Sequence, residues 1–533
     1  MNRLLNYAEI CLGLMILTLP LTLLPERYKL PVLGGSLPHI LLLFSLLFFV
    51  AYVFQKRRME IQGKKYFAGF FLWSLFCLAW GCWKFPFYDA ATDEFLRHSK
   101  MVMLTAEFFP VLQDNAALLH GKMFLSYFWY MLKEFFFPFA GMFFIIAGLF
   151  RVGKADELYK YLLRAVYGLS ILMMLYSIPE VIWLWTGNET CARILSSVNV
   201  HLYDPVLYNG WWPPLLWAGQ LRSFCLEPSY FGIITSFLLP LLVIDTRKQI
   251  RPWKILLIFV MVFMIFMTKA RTATVIYLGE SIVFFFLIFL CRYPGWKKIL
   301  LAWAAITIGA FSVYLAGPSM LCSGENTDVA PKKQIDKTVP HIKNYVDENV
   351  VSVKKQIDKT VPHIENYVDE NVVSVVRKDK RSNSARFGNT VAFIKIGMDY
   401  PLTGVGRGLH SPYMKDRIPD FARDNHEIQN WIKDMQEKTF LESGLPVLNE
   451  YAAVFAWNGL PGLVFFLIPP FIVVRKGITD GRKKKSFEII GLLTALAGQM
   501  ACMLSSGMFL TYPLTLWLVY CILEKKEKEW TGS

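Results

Sequence analysis

Charge is scarce in this chain, and most of the charged residues that it has lie outside its apolar runs. Only 18% of the 533 residues are Asp, Glu, Lys or Arg, whereas 55% are hydrophobic and 16% are aromatic. This composition is too apolar for a soluble protein. The net charge of +15 comes largely from short loops between apolar runs, so we predict contact with anionic lipid headgroups and not with nucleic acid.

Several chemical signatures are also lacking. The nine cysteines follow no metal-ligand spacing, and the long polar segments contain no Asp-x-Asp-like pair that would call for a metal ion. The first apolar segment has no small-residue cleavage site, so we expect it to act as a signal-anchor. We therefore expect no metal site and no cofactor.

Long apolar runs dominate what is present. Each run is close to the ~20 residues that cross a bilayer as a helix. The pattern predicts an all-α polytopic membrane protein with about twelve transmembrane helices, at residues 7–25, 37–55, 66–83, 132–150, 160–187, 228–245, 253–268, 272–291, 298–317, 451–474, 486–505 and 509–523.

Clusters of basic residues lie in loops that follow even-numbered spans, and short cytoplasmic loops are enriched in such residues. These residues are Lys56, Arg57, Arg58, Lys64, Lys65, Arg247, Lys248, Arg251, Lys254, Arg292, Lys297, Lys298, Arg475, Lys476, Arg482, Lys483, Lys484 and Lys485. Both termini are therefore predicted to be cytoplasmic. We divide the chain into membrane domain 1–317, a large and mainly helical extracytoplasmic loop 318–450, and membrane domain 451–533 with a short cytoplasmic tail.

The large loop contains a tandem duplication. The 22 residues 332–353 recur at 354–375 with a single change, Lys343 against Glu365. Apolar residues step by three or four, which predicts helices. A tolerated duplication in an exposed segment and a helical stalk that binds a partner are both open, and we place no catalysis there.

Two cations lie at the predicted outer edge of the membrane, in the tight turn between the seventh and eighth spans. They are Lys269 and Arg271. Positive-inside bias argues against spare basic residues on this side. They either reach outward to headgroups or bind an anionic group at this depth, and a guanidinium suits phosphate oxygens.

Polar residues also precede the sixth span, in RSFCLEPSYFG. Arg222 and Glu227 either cap the start of this span or face the same outer cavity as Arg271. Glu280, near the middle of the eighth span, is either functional or part of a structural interhelical hydrogen bond.

After the duplication, Arg386 begins a predicted helix that ends before Pro401. Gly404, Gly406 and Gly408 then surround Arg407. Such a turn is either an ordinary loop or an anion-binding nest of backbone N–H groups.

Four short motifs, in this order, resemble the bacterial superfamily of O-antigen ligases and O-antigen or capsule repeat-unit polymerases. They are EPSYFG at 227–232, KARTA at 269–273, Arg386 with DYPLTGVGRG at 399–408, and NEYAAVFAWNGLPGLVFF at 449–466. The plan of many spans with one large loop in the C-terminal third also matches.

The resemblance implies a membrane glycosyltransferase of the cytoplasmic (inner) membrane that uses a polyprenyl-pyrophosphate-linked oligosaccharide. It implies catalytic roles at the outer mouth for Arg271 and Arg386. The resemblance leaves the proton acceptor unassigned, and Glu227, His410 and Glu450 are the candidates that the sequence offers. Substrate-binding roles fall to Arg222, Tyr230, Lys269, Arg407 and Asn449. A flippase and a chain-length regulator are candidate protein partners.

Ligases of this superfamily carry a histidine just before the asparagine that opens the span after the large loop. Leu448 occupies that position here, which favours a polymerase that builds a surface polysaccharide. A ligase acting on a terminal acceptor such as lipid A core is the alternative within the superfamily. A flippase or transporter is the alternative from another class, although the two halves of the chain share no repeat.

Overall fold

The computed structural model describes residues 2–29, 34–56, 63–87, 116–203, 219–321, 381–438 and 445–531. Within these ranges the chain is helical and has no β-strand, so the predicted all-α membrane class is confirmed. The duplication at 332–375 lies outside the described residues.

The helices, in chain order, are α1 (Asn2–Leu17), α2 (Leu37–Lys56), α3 (Lys64–Trp83), α4 (Ala116–Met131), a π-helical stretch (Leu132–Gly141), α5 (Met142–Arg151), α6 (Ala155–Thr186), α7 (Glu189–Leu202), α8 (Pro228–Lys248), α9 (Pro252–Met267), α10 (Arg271–Leu290), α11 (Trp296–Leu321), α12 (Arg381–Asp399), α13 (His410–Met414), α14 (Asp420–Arg423), α15 (His426–Lys438), α16 (Glu450–Lys484), α17 (Phe487–Cys502) and α18 (Thr511–Thr531).

Eleven of the twelve predicted spans fall on one helix or one continuous helical run, and the first lies only partly on α1. Eight runs within the described ranges are long and apolar enough to cross a bilayer, and α9 and α17 are shorter apolar helices. The predicted end of the first span was wrong, because α1 ends at Leu17 and a turn with Pro20 follows. The fourth span begins earlier than predicted, because α4, the π-helical stretch and α5 are continuous.

The helix α8 lies at the centre of the bundle. It is the most buried of the eight candidate spans, and it packs against α9, α10 and α17. Gly232 on α8 allows the close approach to α10, since a Cβ there would lie 2.6 Å from the Cα atom of Ala273. The first turns of α8 and α10 are thereby held side by side.

The helices α12 to α15 lie between the candidate spans α11 and α16. The helix α12 packs along α16, and α13, α14 and α15 pack against α12. This arrangement places the N-terminal half of α12 near the ends of α8 and α10.

The helix α16 has a kink to which the glycine-rich turn 404–408 is bonded. Gly459 has a φ of 65° and interrupts the helical backbone. The freed carbonyls of Ala456 and Trp457 accept hydrogen bonds from the backbone N–H groups of Val405 (2.9 Å) and Gly406 (3.0 Å). These N–H groups are therefore used inside the protein, and the turn is an integral part of the bundle.

Candidate active site

Two arginines that are distant in sequence lie together where α10 meets α12. Arg271 is the first residue of α10, and its Nη1 atom donates a 2.8 Å hydrogen bond to Oδ1 of Asn383 on α12. Asn383 and Arg386 are three residues apart and thus on one face of α12. The two guanidinium groups are close enough to repel each other electrostatically. Both side chains are only partly buried.

The rest of this arginine pair's environment comes from α8 and from the loop between α17 and α18. Nη1 of Arg386 donates a 2.6 Å hydrogen bond to the carbonyl oxygen of Ser505. Tyr230, in the first turn of α8, interacts electrostatically with both Arg386 and Glu227. The Tyr230 ring packs edge-on against Phe509, with 4.9 Å between the centroids. Parts of the chain that are far apart in sequence thus converge on one cationic site.

Glu227 is the carboxylate that α8 brings to this site. It precedes the first helical residue, Pro228, whose missing N–H and fixed φ suit the start of a helix. The side chain of Glu227 does not cap α8. Instead, its Oε2 atom accepts a 3.0 Å hydrogen bond from the hydroxyl of Ser229. Glu227 is half-buried.

A second polar cluster lies deeper, around the glycine-rich turn. The Arg407 guanidinium lies 4.1 Å from the ring centroid of Trp457 and 4.5 Å from that of Phe135, both within cation–π range. Its Nη1 atom is 3.5 Å from Oε1 of Glu450. Both side chains are buried. This arginine is therefore neutralised by a carboxylate inside the protein.

His410 is enclosed in the same region. Its Nδ1 atom accepts a 3.0 Å hydrogen bond from the indole N–H of Trp457, and its Nε2 atom lies 3.3 Å from the carbonyl oxygen of Leu445. This pattern fits a neutral imidazole that donates from Nε2. The pKa of His410 is lowered to about 4, mainly by burial and to a smaller extent by the neighbouring charge of Arg407.

Asn449 and Glu450 form the N-terminus of α16. The Asn449 side chain accepts a 3.0 Å hydrogen bond from the N–H of Ala452, and its amide donates a 3.2 Å bond to the carbonyl of Leu504. Glu450 accepts a 3.1 Å bond from the N–H of Met508. The Asn449 amide and one carboxylate oxygen of Glu450 are thus bonded to the protein's own backbone.

Arg222 lies in a separate and fully buried cluster. Its guanidinium donates to the carbonyl of Cys225 at 2.6 Å, to the hydroxyl of Tyr176 at 3.0 Å and to Oδ1 of Asn199 at 3.1 Å. Its backbone N–H donates a 2.9 Å bond to the buried carboxylate of Glu180. These contacts tie the chain before α8 to α6 and α7.

Lys269 has a φ of 47° and an exposed side chain in the turn between α9 and α10. Of the ten residues proposed from the sequence, the structure brings Arg271, Arg386, Tyr230 and Glu227 together, with Lys269 two residues before Arg271. It gathers Arg407, His410, Glu450 and Asn449 in the deeper cluster, and it leaves Arg222 apart from both.

Glu280 lies elsewhere, at a small cleft lined by residues of α8, α10, α11 and α17. Its Oε1 atom is buried and has no hydrogen-bond partner among the described residues. The interhelical hydrogen bond that the sequence left open is therefore not formed by this atom within those residues.

Three contributors to the arginine pair were not found from the sequence. Asn383 orients Arg271, Ser505 accepts from Arg386, and Glu427 in the first turn of α15 attracts Arg271. Asn383 could have been found from the sequence, because it is a polar amide three residues before Arg386. Ser505 could not, because it acts through its backbone carbonyl, which every residue has.

No group of three or more His, Cys, Asp or Glu side chains in the described ranges has a geometry that could hold a metal ion. The cationic character of the site comes from its arginines.

A comparison with known protein families points to the same superfamily as the four sequence motifs. Residues 256–467 match a family model described as O-antigen ligase, and this range contains Arg271, Arg386 and the deeper cluster around Arg407. This part of the chain is thus similar to the O-antigen ligase family. The recognition of the O-antigen ligase/polymerase superfamily from the sequence is thereby confirmed.

Members of this family are membrane enzymes that transfer glycosyl groups in surface polysaccharide biosynthesis, and the match supports that role at the family level. Together with the apolar helices, it supports a multi-pass protein of the inner membrane. No curated protein and no solved structure matches the chain.

Proposed function

We propose that this protein polymerises polyprenyl-pyrophosphate-linked oligosaccharide repeat units into a surface polysaccharide. The observation that carries this proposal is the juxtaposition of Arg271 and Arg386. Within the described residues, each guanidinium has one hydrogen-bonded acceptor, so further donors of both remain for a ligand. An anion that binds between two like charges stabilises both, and a pyrophosphate has enough oxygens to accept hydrogen bonds from both guanidinium groups.

The reaction is a displacement at an anomeric carbon. The acceptor hydroxyl oxygen attacks this carbon, the bond from carbon to the pyrophosphate oxygen breaks, and its electron pair leaves with the pyrophosphate. Arg271 and Arg386 stabilise the negative charge that develops on the leaving group. Such a contribution is worth roughly 3–4 kcal/mol for a well-placed donor.

The acceptor hydroxyl loses its proton in this step. Among the three candidate proton acceptors, Glu227 is half-buried and shares a neighbour, Tyr230, with Arg386. We propose that Glu227 orients the acceptor hydroxyl and receives its proton, an effect that is typically worth 10²–10⁴-fold. Tyr230 and Lys269 would border the glycan or the phosphate.

We further propose that the site faces the outside of the cytoplasmic membrane, with both termini in the cytoplasm. The basic loops after even-numbered spans support this orientation. The segment 318–450 would then be an outer domain between membrane domains 1–317 and 451–533. A flippase that delivers the lipid-linked unit and a chain-length regulator are the expected protein partners.

A ligase is the second candidate, and the description of the matched family favours it. Against it stands Leu448, since an apolar side chain at this position cannot act as a proton acceptor. We therefore place the polymerase first.

The test is the glycan profile of a deletion strain complemented with the wild type, Arg271→Ala or Arg386→Ala. Arg423→Ala is the matched control, because Arg423 is an exposed arginine on α14 that pairs with Asp420. A polymerase predicts single repeat units on the carrier and no long chains in the deletion strain and in both site variants, with normal chains in the control.

Long lipid-linked chains that fail to reach a terminal acceptor would instead identify a ligase. Unchanged glycans in the deletion strain would refute a glycosyltransferase role and favour a transporter.

A further inference from the structure

The loop between α17 and α18, residues 503–510, connects the arginine pair with the deeper cluster. At Ser505 its carbonyl accepts the hydrogen bond of Arg386 (2.6 Å). At Met508 its N–H donates to Oε2 of Glu450 (3.1 Å), and at Met503 its carbonyl accepts from the backbone N–H of Glu450 (3.0 Å). Residues on both sides of Ser505 are therefore fixed to the first residue of α16.

Asn449 adds a third attachment of the same loop. Its side-chain amide donates a 3.2 Å hydrogen bond to the carbonyl of Leu504, directly before Ser505. Its oxygen meanwhile caps α16. The first turn of α16 thus holds the 503–510 loop through one backbone bond and two side-chain bonds.

The carboxylate of Glu450 is itself held in place. It is only 1% exposed, and its Oε1 atom faces Nη1 of Arg407 at 3.5 Å. The Arg407 guanidinium lies over the rings of Trp457 and Phe135, which restricts its movement. A carboxylate with one oxygen on a backbone N–H and the other toward a fixed cation has little access to a substrate hydroxyl.

We infer that Glu450 is a positioning residue that fixes the 503–510 loop, so that the carbonyl of Ser505 orients Arg386 toward the substrate phosphate. Arg407 holds the Glu450 carboxylate in place through the ion pair between them. This inference rests on the proposed function of the arginine pair. Glu450 would thus act on the leaving group through Arg386 and would take no part in proton transfer.

A paired substitution separates these two roles. In the double variant Arg407→Gln/Glu450→Gln, an amide oxygen at position 450 can still accept from the Met508 N–H. No buried charge is left unpaired. If Glu450 acts only by positioning the loop, the double glutamine variant should keep kcat/KM within about fivefold of the wild type and show the same pH profile, because the geometry of the loop is kept.

A loss above about 100-fold in a double variant with wild-type thermal stability would overturn the inference, since that is the range of a lost general base. The double variant Arg407→Ala/Glu450→Ala, which frees the loop, is expected to raise KM for the lipid-linked donor and to lower kcat.

Asn449→Asp tests the same linkage with Glu450 intact, should the double glutamine variant fail to fold. The carboxylate still caps α16 but no longer donates to Leu504. We expect a loss of a few-fold in kcat/KM that disappears in an Arg386→Ala background, because the effect passes through Arg386. An equal loss in both backgrounds, or no loss in either, would contradict the inference.

Hydrogen exchange of the peptide that covers 503–510 provides a readout that needs no activity. The double alanine variant should exchange faster than the wild type at this loop, and the double glutamine variant should not. Unchanged exchange in the alanine variant would refute the inference even if the protein polymerises glycans. Failure of the wild type to lengthen any lipid-linked glycan would instead refute the proposed function.

Discussion

Removal of Arg386 should lower activity strongly and stability only slightly. In the described structure its guanidinium makes a single hydrogen bond, from Nη1 to the carbonyl of Ser505. A hydrogen bond to a charged group contributes about 1.5–3 kcal/mol. Relief of the repulsion with Arg271 offsets part of this loss when Arg386 is replaced by alanine.

The effect on catalysis should be larger. Loss of one fixed donor to a developing oxyanion typically lowers kcat by about 10²–10³, or about 2.7–4 kcal/mol of transition-state stabilisation. Arg386→Lys should retain an intermediate activity, since it keeps the charge but loses the planar fork. Because Arg271 and Arg386 would hold the same group, the double alanine variant should lose less than the product of the single losses.

The assay is the initial rate of chain growth by purified protein in proteoliposomes that contain the lipid-linked repeat unit. Unfolding temperatures measured in parallel separate activity from folding, and Arg423→Ala serves as the control. The reasoning is refuted if Arg386→Ala stays within twofold of the wild type, or if Arg423→Ala falls by the same factor.

Three further predictions concern stability. His410 binds a proton below pH 6.5 in the unfolded chain but only near pH 4 in the folded protein. The free energy of unfolding should therefore fall by up to about 3 kcal/mol as the pH is lowered from 6.5 to 4. Thermal unfolding of His410→Gln should show a smaller dependence on pH in this range. Gly81→Ala should lower the unfolding temperature, because its Cβ would lie 2.0 Å from a backbone oxygen of the glycine-rich turn, whereas Gly279→Ala meets nothing within 4 Å and should be neutral. Arg222→Ala should lower the free energy of unfolding by about 3–5 kcal/mol, because it leaves the buried Glu180 carboxylate without its charge partner. A variant that is as stable as the wild type and loses only substrate affinity would contradict this prediction.

The membrane helices could be predicted from the sequence because each needs only a local run of apolar residues. Arg271 could be proposed as a site residue for a similar reason, since a cation on the predicted outer side has a local signature, whereas Arg386 was proposed from the motif resemblance. Their juxtaposition depends on α12 packing along α16 and on the close approach of α8 and α10 at Gly232. Those contacts join residues that are remote in sequence.

The burial of Arg222 and Arg407 could not be predicted from the sequence. Arg222 and Arg407 look as available as Arg386 in the sequence. In the structure, Arg222 lies beside the buried Glu180 carboxylate, and Arg407 faces the carboxylate of Glu450 between two aromatic rings. The partner of a buried cation is set by tertiary packing, which a list of motifs does not contain.

The backbone contribution of the 503–510 loop had no sequence signal for the same reason. Ser505 acts through its carbonyl, and Met508 through its N–H. Any residue type offers a carbonyl, and every residue except proline offers an N–H. Only the folded chain reveals which of these groups meet Arg386 and Glu450.

The central claim is that the protein joins lipid-linked repeat units to each other. The most direct measurement supplies purified protein in proteoliposomes with the lipid-linked repeat unit as the only glycan, and then separates the carrier-linked products by length. The account predicts a ladder of two, three and more repeats on the carrier, which Arg271→Ala and Arg386→Ala abolish and Arg423→Ala retains. A single transfer that occurs only after a terminal acceptor is added, or movement of the unit across the bilayer with no new glycosidic bond, would contradict it.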